Sequence, residues 1–429
     1  FINYFDYEYP IPENTDAPFF VDTEIAPTPW NPDTHLLRIG VQGYRVPVER
    51  LPASNLVFLV DVSGSMRSRD KLPLLKQSLS ILANELDGDD CISLVVYAGA
   101  SGVVLHPTSG NHKATILAAL ERLQAGGRTN GAAGIRLAYR LAEQNFKRGG
   151  VNRVILATDG DFNVGLASTE ELLDLVQRKR AAGIALTTLG FGTGNYNEHL
   201  LEQLADEGNG NYAYIDRLSE GNKVLAEELS ATLMTIARDV KIQVEFNPAR
   251  VSEYRLIGYE NRILDEEDFD NDQVDAGEIG AGHRVTALYE ISLAGSDYRR
   301  LPDRRYASRA GAGDSGERHR PYADELAHLR LRYKLPDQPD SRLIEAPIPG
   351  ASVLARIERA SDDFRFAAAV AAFGQKLRGG RYLEGWGYGE IANLARHSRG
   401  TDPFGYRSEF LQLVSLADRL DHADHVAQD

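Results

Sequence analysis

Hydrophobic and polar positions change their rhythm twice along the chain. Between residues 52 and 238, short apolar runs alternate with longer stretches of helical period. The first run, Asn55 to Val60 (NLVFLV), has strand length and reads as a central parallel strand buried on both faces. A helix is predicted over 70–86, where Leu72, Leu75, Leu79, Leu82 and Leu86 share one face. Further strands are predicted at 91–97, 102–106, 152–157, 184–190 and 211–215. Helices are predicted at 112–124, 131–146, 169–182, 197–206 and 220–237. Strands alternating with helices predict an α/β domain built on a doubly wound, mainly parallel sheet.

On both sides of that region the pattern is β-type. Residues 18–51 contain FFVDTEIA and HLLRIGVQGY, separated by the turn-forming PTPWNPD. Residues 239–350 contain KIQVEF, EYRLIGY, HRVTALYEISL and LAHLRLRYKL. The two stretches are expected to form one β-sandwich domain into which the α/β domain is inserted. Residues 1–17, rich in Tyr, Phe and Pro, are expected to form an arm on the body. Residues 351–429 return to helices, including FRFAAAVAAFGQKL and FLQLVSLADRL. Trp30 and Trp386 are read as packing residues.

The chemistry concentrates at three points of the α/β domain. Asp61, Ser63 and Ser65 lie in LVFLVDVSGSM, Thr129 in GGRTNG and Asp159 in VILATDGD. Each follows a predicted strand or opens a predicted helix. In open parallel sheets, ligands bind beyond the carboxyl ends of the strands. Gly64 is expected to supply the sharp turn that aims both serines at one centre. Two carboxylates and three hydroxyls form a hard oxygen set suited to Mg²⁺, Ca²⁺ or Mn²⁺. An open position on such an ion invites a carboxylate from a protein partner. The plainer alternative is that the serines cap a helix and Asp159 opens a turn.

Other signals are weaker. DFDNDQVDAGEI at 268–279 imitates a calcium loop, but Gln273 replaces the turn Gly and Ile279 the bidentate Glu. GFGTGN at 190–195 lacks the Lys and Ser/Thr of a nucleotide-binding loop. A phosphatase would want a second acid two residues after Asp61, where this chain has Ser63. No nucleophile elbow or zinc helix is present in the sequence.

The D-x-S-x-S motif, the later Thr129 and the later Asp159 closely resemble the metal-ion-dependent adhesion site of von Willebrand factor A domains. The resemblance implies that Ser63, Ser65 and Thr129 ligate a divalent ion directly. It implies that Asp61 and Asp159 do so directly or through water. Arg128, Asn130 and Asp161 would then form a partner-binding rim. FINYFDYEYP, the segment DFDNDQVDAGEIGAGHRVTALYEI, FRFAAAVAAFG and DPFGYRSEFLQLV are similar to bacterial YfbK-type proteins carrying this domain.

Composition narrows the function. A chain of 429 residues suggests two or three domains, and 43% hydrophobic residues suffice for their cores. A net charge of −15 disfavours a general nucleic-acid binder. No apolar run approaches the roughly 20 residues that span a bilayer. The chain begins at Phe1 without Met, which leaves room for an export signal ahead of it. The resemblance tilts the expected location to the bacterial cell envelope or periplasm, with a possible lipid anchor. The single cysteine, Cys91, rules out an intrachain disulfide and is read as a buried, inert thiol. The arginine-rich stretch 297–322 is read as a solvated loop. The expected function is cation-dependent protein binding without catalysis. A metal-dependent hydrolase and a purely structural ion are the alternatives.

Overall fold

The structure is a computed structural model. It describes all residues except 13–16, 47–50, 100, 128–130, 161–167, 193–197, 229–232, 260–263, 273, 275, 297, 302–321, 337 and 427–429. Labelled in chain order, the strands begin with β1 (Phe19–Thr28), β2 (Asn31–Gly43), β3 (Ser54–Asp61), β4 (Cys91–Tyr97) and β5 (Ser101–Ser109). They continue with β6 (Val151–Thr158), β7 (Ala185–Phe191), β8 (Tyr212–Ile215), β9 (Thr235–Phe246) and β10 (Val251–Ile257). The last are β11 (Gly277–Gly280), β12 (Arg284–Leu293), β13 (Glu325–Lys334) and β14 (Ser341–Pro349). The helices are α1 (Leu72–Glu85), α2 (Lys113–Glu121), α3 (Gly131–Gln144), α4 (Thr169–Ala181) and α5 (Glu198–Glu207). They end with α6 (Leu218–Asn222), α7 (Asp362–Leu377), α8 (Tyr388–His397) and α9 (Tyr406–Val426). The chain divides into two compact units. One is Val46–Thr235; the other joins Phe1–Arg45 to Ile236–Asp429.

In the Val46–Thr235 unit, six strands lie in the order β5-β4-β3-β6-β7-β8. All neighbours run parallel except β5, which returns antiparallel to β4. Alternation along β3 decides its two faces. Leu56, Phe58 and Val60 join α1 and α2 in one core, whereas Val57 and Leu59 join α3, α4 and α5 in another. Covered on both sides, β3 is buried from end to end. From β3 the chain steps outward to β4, then crosses to β6 on the other flank. That places a switch point of strand order between β3 and β6.

The second unit is layered. One sheet has the order β1-β2-β12-β10, and the other β11-β9-β13-β14. β2 pairs antiparallel with β12, Gln42 opposite Arg284, so residues from both ends of the chain share one sheet. Ile25, Leu37 and Ile39 pack against Phe246, Leu329 and Ile348 between the two sheets. The opposite face of the first sheet carries Ala26, Leu36 and Leu288, which pack on α7 through Phe364, Ala368 and neighbouring residues. Phe5, Tyr7 and Tyr9 of the N-terminal segment are buried in that same apolar layer. Trp30 and Trp386 meet edge-to-face with ring centroids 6.4 Å apart.

Two local expectations need correction. The helix expected over 220–237 is the short α6 followed by one wide turn, Lys223–Glu227, and Thr235 already opens β9. Cys91 is half-buried rather than buried, with burial raising its thiol pKa. In the calcium-like turn, Asp270 pairs with Arg332 at 3.1 Å and Asp272 with Arg332 at 3.0 Å. Those carboxylates serve as partners to β13. Most of the arginine-rich stretch lies outside the described residues. Arg300, at its start, pairs with the buried Glu290.

Candidate metal centre

Asp61 ends β3, and Asp159 follows the last residue of β6. The two strands are parallel neighbours in register Val60 to Ala157, so both carboxylates emerge at the same end of the sheet. Asp61 has no exposed surface, and Asp159 is 6% exposed. The backbone N–H of Ser63 donates to Asp61 Oδ1 at 2.7 Å, and Thr158 Oγ1 lies 3.3 Å from Asp61 Oδ2. Tyr97, opposite Asp61 on β4, is fully buried against this pair. Burial, followed by the Asp61 charge, holds its phenol well above its ordinary pKa.

Burial also pushes the Asp61 carboxyl up to about 6, and the nearby Asp159 charge adds to the rise. Hydrogen bonds from Ser63 oppose it. The Ser63 and Ser65 hydroxyls lie 2.8 Å apart. Neither acts as a helix cap: Ser63 precedes the 3-10 turn Gly64–Arg67 without a capping hydrogen bond from its side chain. Gly64 does not play its expected part, because its φ is not positive and a Cβ there would meet nothing closer than 3.7 Å among the described residues. The turn is made by the extended Ser63 entering the 3-10 segment.

The loop preceding Thr129 is drawn to the first motif by two backbone hydrogen bonds. Gly64 N donates to Gly127 O at 3.2 Å, and Gly126 N to Val62 O at 2.7 Å. Thr129 itself lies outside the described residues, as do Arg128, Asn130 and Asp161. Asp61, Ser63, Ser65 and Asp159 are therefore the predicted positions that the structure describes. Met66, Arg67, Leu72, Lys76, Glu121 and Leu123 help line a cleft of about 420 Å³, to which none of those four positions contributes.

Asp159 shows whether a cation suits this place. Its Oδ2 is 2.8 Å from Lys71 Nζ, whereas its buried Oδ1 has no hydrogen-bond partner among the described residues. An unpaired buried carboxylate oxygen is costly. A buried acid beside it and two adjacent hydroxyls complete a hard oxygen set. Among the described residues, no group of three or more His, Cys, Asp or Glu could hold a metal. Beside the two carboxylates, the Ser63 and Ser65 hydroxyls are hard oxygen donors. Lys71, Thr158 and Tyr97 were not among the residues singled out in the sequence. Thr158 and Tyr97 could have been noticed as polar residues ending apolar strands.

The von Willebrand factor type A domain family matches residues 55–228, and the family described as "Uncharacterized protein YfbK, C-terminal" matches residues 231–420. A third family, described as "von Willebrand factor", matches residues 1–38. Escherichia coli (strain K12) YfbK, itself described as uncharacterized, is 47% identical over 423 residues, covering 97% of this chain and 72% of that protein. The uncharacterized protein sll0103 of Synechocystis is 30% identical over 43% of each chain. A solved von Willebrand factor type A structure from Catenulispora acidiphila superposes with a TM-score of 0.48 at 14% identity. That match covers 92% of this chain and 88% of the other. Type A domains generally mediate protein–protein interaction and commonly bind a divalent metal. No helix among the described residues is long and apolar enough to cross a membrane. With nearly half its residues identical to YfbK over almost its entire length, this chain belongs to the YfbK-type family of von Willebrand factor A domain proteins.

Proposed function

We propose that the protein is a divalent-cation-dependent binding module that recognises an acidic side chain, Asp or Glu, on a protein partner. Asp61, Ser63, Ser65, Thr129 and Asp159 would hold Mg²⁺, or Ca²⁺ or Mn²⁺ in its place. When bound, the ion supplies a Lewis-acidic position able to accept an external carboxylate. The observation that carries this reading is the buried Oδ1 of Asp159, unpartnered among the described residues, next to a second buried carboxylate.

The chain's own residues account for the rest. Asp61 is fixed by the Ser63 N–H and the Thr158 hydroxyl, so its carboxylate needs little reorganisation to bind. The serine hydroxyls add oxygens without adding negative charge, so they do not repel an incoming anion. Arg128, Asn130 and Asp161 would form the rim that meets the partner residues flanking the acid. Calorimetric titration of Mg²⁺ into wild type and Asp61→Ala tests the site. Heat of binding should appear only in wild type, and equal affinity in both would remove it. Partner capture should be lost with chelator and in Asp61→Ala together.

A further inference from the structure

Lys71 stands at the N-cap of α1, directly after the serine motif. A cation is disfavoured there, because the first turn of a helix carries positive partial charge. Its side chain makes no capping hydrogen bond. Instead its ammonium reaches Asp159 at 2.8 Å, with the two side chains 15% and 3% exposed. The Lys71 stem runs over Gly192, whose φ is +78° and where a Cβ would lie 2.4 Å from the Lys71 Cε. Only glycine leaves that path clear. The contact is thus built from two sides: a glycine that admits the stem, and a buried carboxylate that compensates an unfavourable helix position.

Lys71 engages one oxygen of Asp159 and leaves the other buried without a partner among the described residues. Given that the site holds a divalent ion, as proposed above, we infer that Lys71 is a positioning residue that sets the charge of the ion centre. It holds Asp159 through Oδ2, which keeps Oδ1 for an ion, and it cancels part of that carboxylate's charge. Two carboxylates alone would neutralise a divalent ion. With the Lys71 ammonium in contact, one positive charge remains uncancelled, and an external carboxylate can satisfy it. The same ammonium repels the ion itself. Lys71 therefore trades affinity for the cation against attraction for the acidic partner.

This trade gives opposite signs for two measurements, which a merely structural role would not. In Lys71→Met, which keeps the stem and loses the charge, Mn²⁺ should bind more tightly, on the order of tenfold, by calorimetry. Acetate titrated into the Mn²⁺-loaded protein, followed by water-proton relaxation, should bind more weakly by a similar factor. Lys71→Arg should restore both values toward wild type. Mn²⁺ affinity that is unchanged or weaker in Lys71→Met, with wild type binding normally, overturns the role of Lys71 alone. Acetate affinity that does not fall overturns it equally. If wild type takes up no Mn²⁺, the ion site falls and the inference with it.

Discussion

Asp61 is a carboxylate held where water does not reach it, and without a cation that position costs stability. Its folded pKa of about 6 lies above the unfolded value near 3.9. The folded state therefore binds the extra proton more strongly between those values. The associated stability is fully present below about pH 4 and is lost as the pH rises through 6. The full shift corresponds to about 3 kcal/mol at neutral pH. In chelator at pH 7.5, Asp61→Asn should accordingly melt at a higher temperature than wild type, and the advantage should vanish by about pH 4. Equal melting at pH 7.5 would show that the ionised carboxylate is not costly. At this scale, legibility depends on neighbours. Asp61 and Asp159 were legible because each ends an apolar strand run. Lys71 was not: it sits in the charged stretch RSRDK, and only the folded chain shows which cation turns inward.

Strand and helix identity were easiest to read where one pattern persisted. β3 and β6 each contain an unbroken apolar run, Leu56–Val60 and Val154–Ala157, because helices cover both faces of their sheet. Of the span read as a helix, 220–237, the last residues Thr235–Ala237 belong to β9, a strand that pairs with β13 from Arg238 on, and tertiary pairing overrides local preference. β2 illustrates the demands of a strand packed on both faces. Gly40, in its middle, lies under the ring of Tyr9, where a Cβ would come within 2.3 Å of ring atoms. The Tyr9 hydroxyl meets Thr286 Oγ1 at 2.7 Å, and Arg38 stacks on its ring at 5.1 Å. Gly40→Ala should dislodge this segment and cost about 2 kcal/mol, as overpacked sites do. Limited proteolysis should then cut within residues 1–12 faster than in wild type, and an unchanged cleavage rate would contradict the packing argument.

For the molecule as a whole, the Val46–Thr235 unit has its own sheet, two cores and the described candidate ligands. Expressed as residues 46–235, it should fold cooperatively. Mg²⁺ at about 100 times its dissociation constant should stabilise it by about 2.7 kcal/mol. For a unit of this size, that means a rise in melting temperature of about 5–10 °C. Thermal melts with and without chelator check this, and a melting temperature indifferent to Mg²⁺ would count against the ion site.

The pairing of β2 with β12 has a consequence for how the protein is made. Gln42 and its partner Arg284 are 242 residues apart. At about 5–20 residues per second, the ribosome needs about 12–50 s to deliver the second strand after the first. During that interval the entire Val46–Thr235 unit emerges and can fold, while β2 has neither its β12 edge nor the helical layer that will cover it. A nascent chain arrested after residue 260 should therefore be cut by protease within residues 17–45 but resist cutting within β3 and β6. Synthesis thus holds open an apolar, two-faced strand that chaperones can recognise, and α7, made later still, is the helix that closes it.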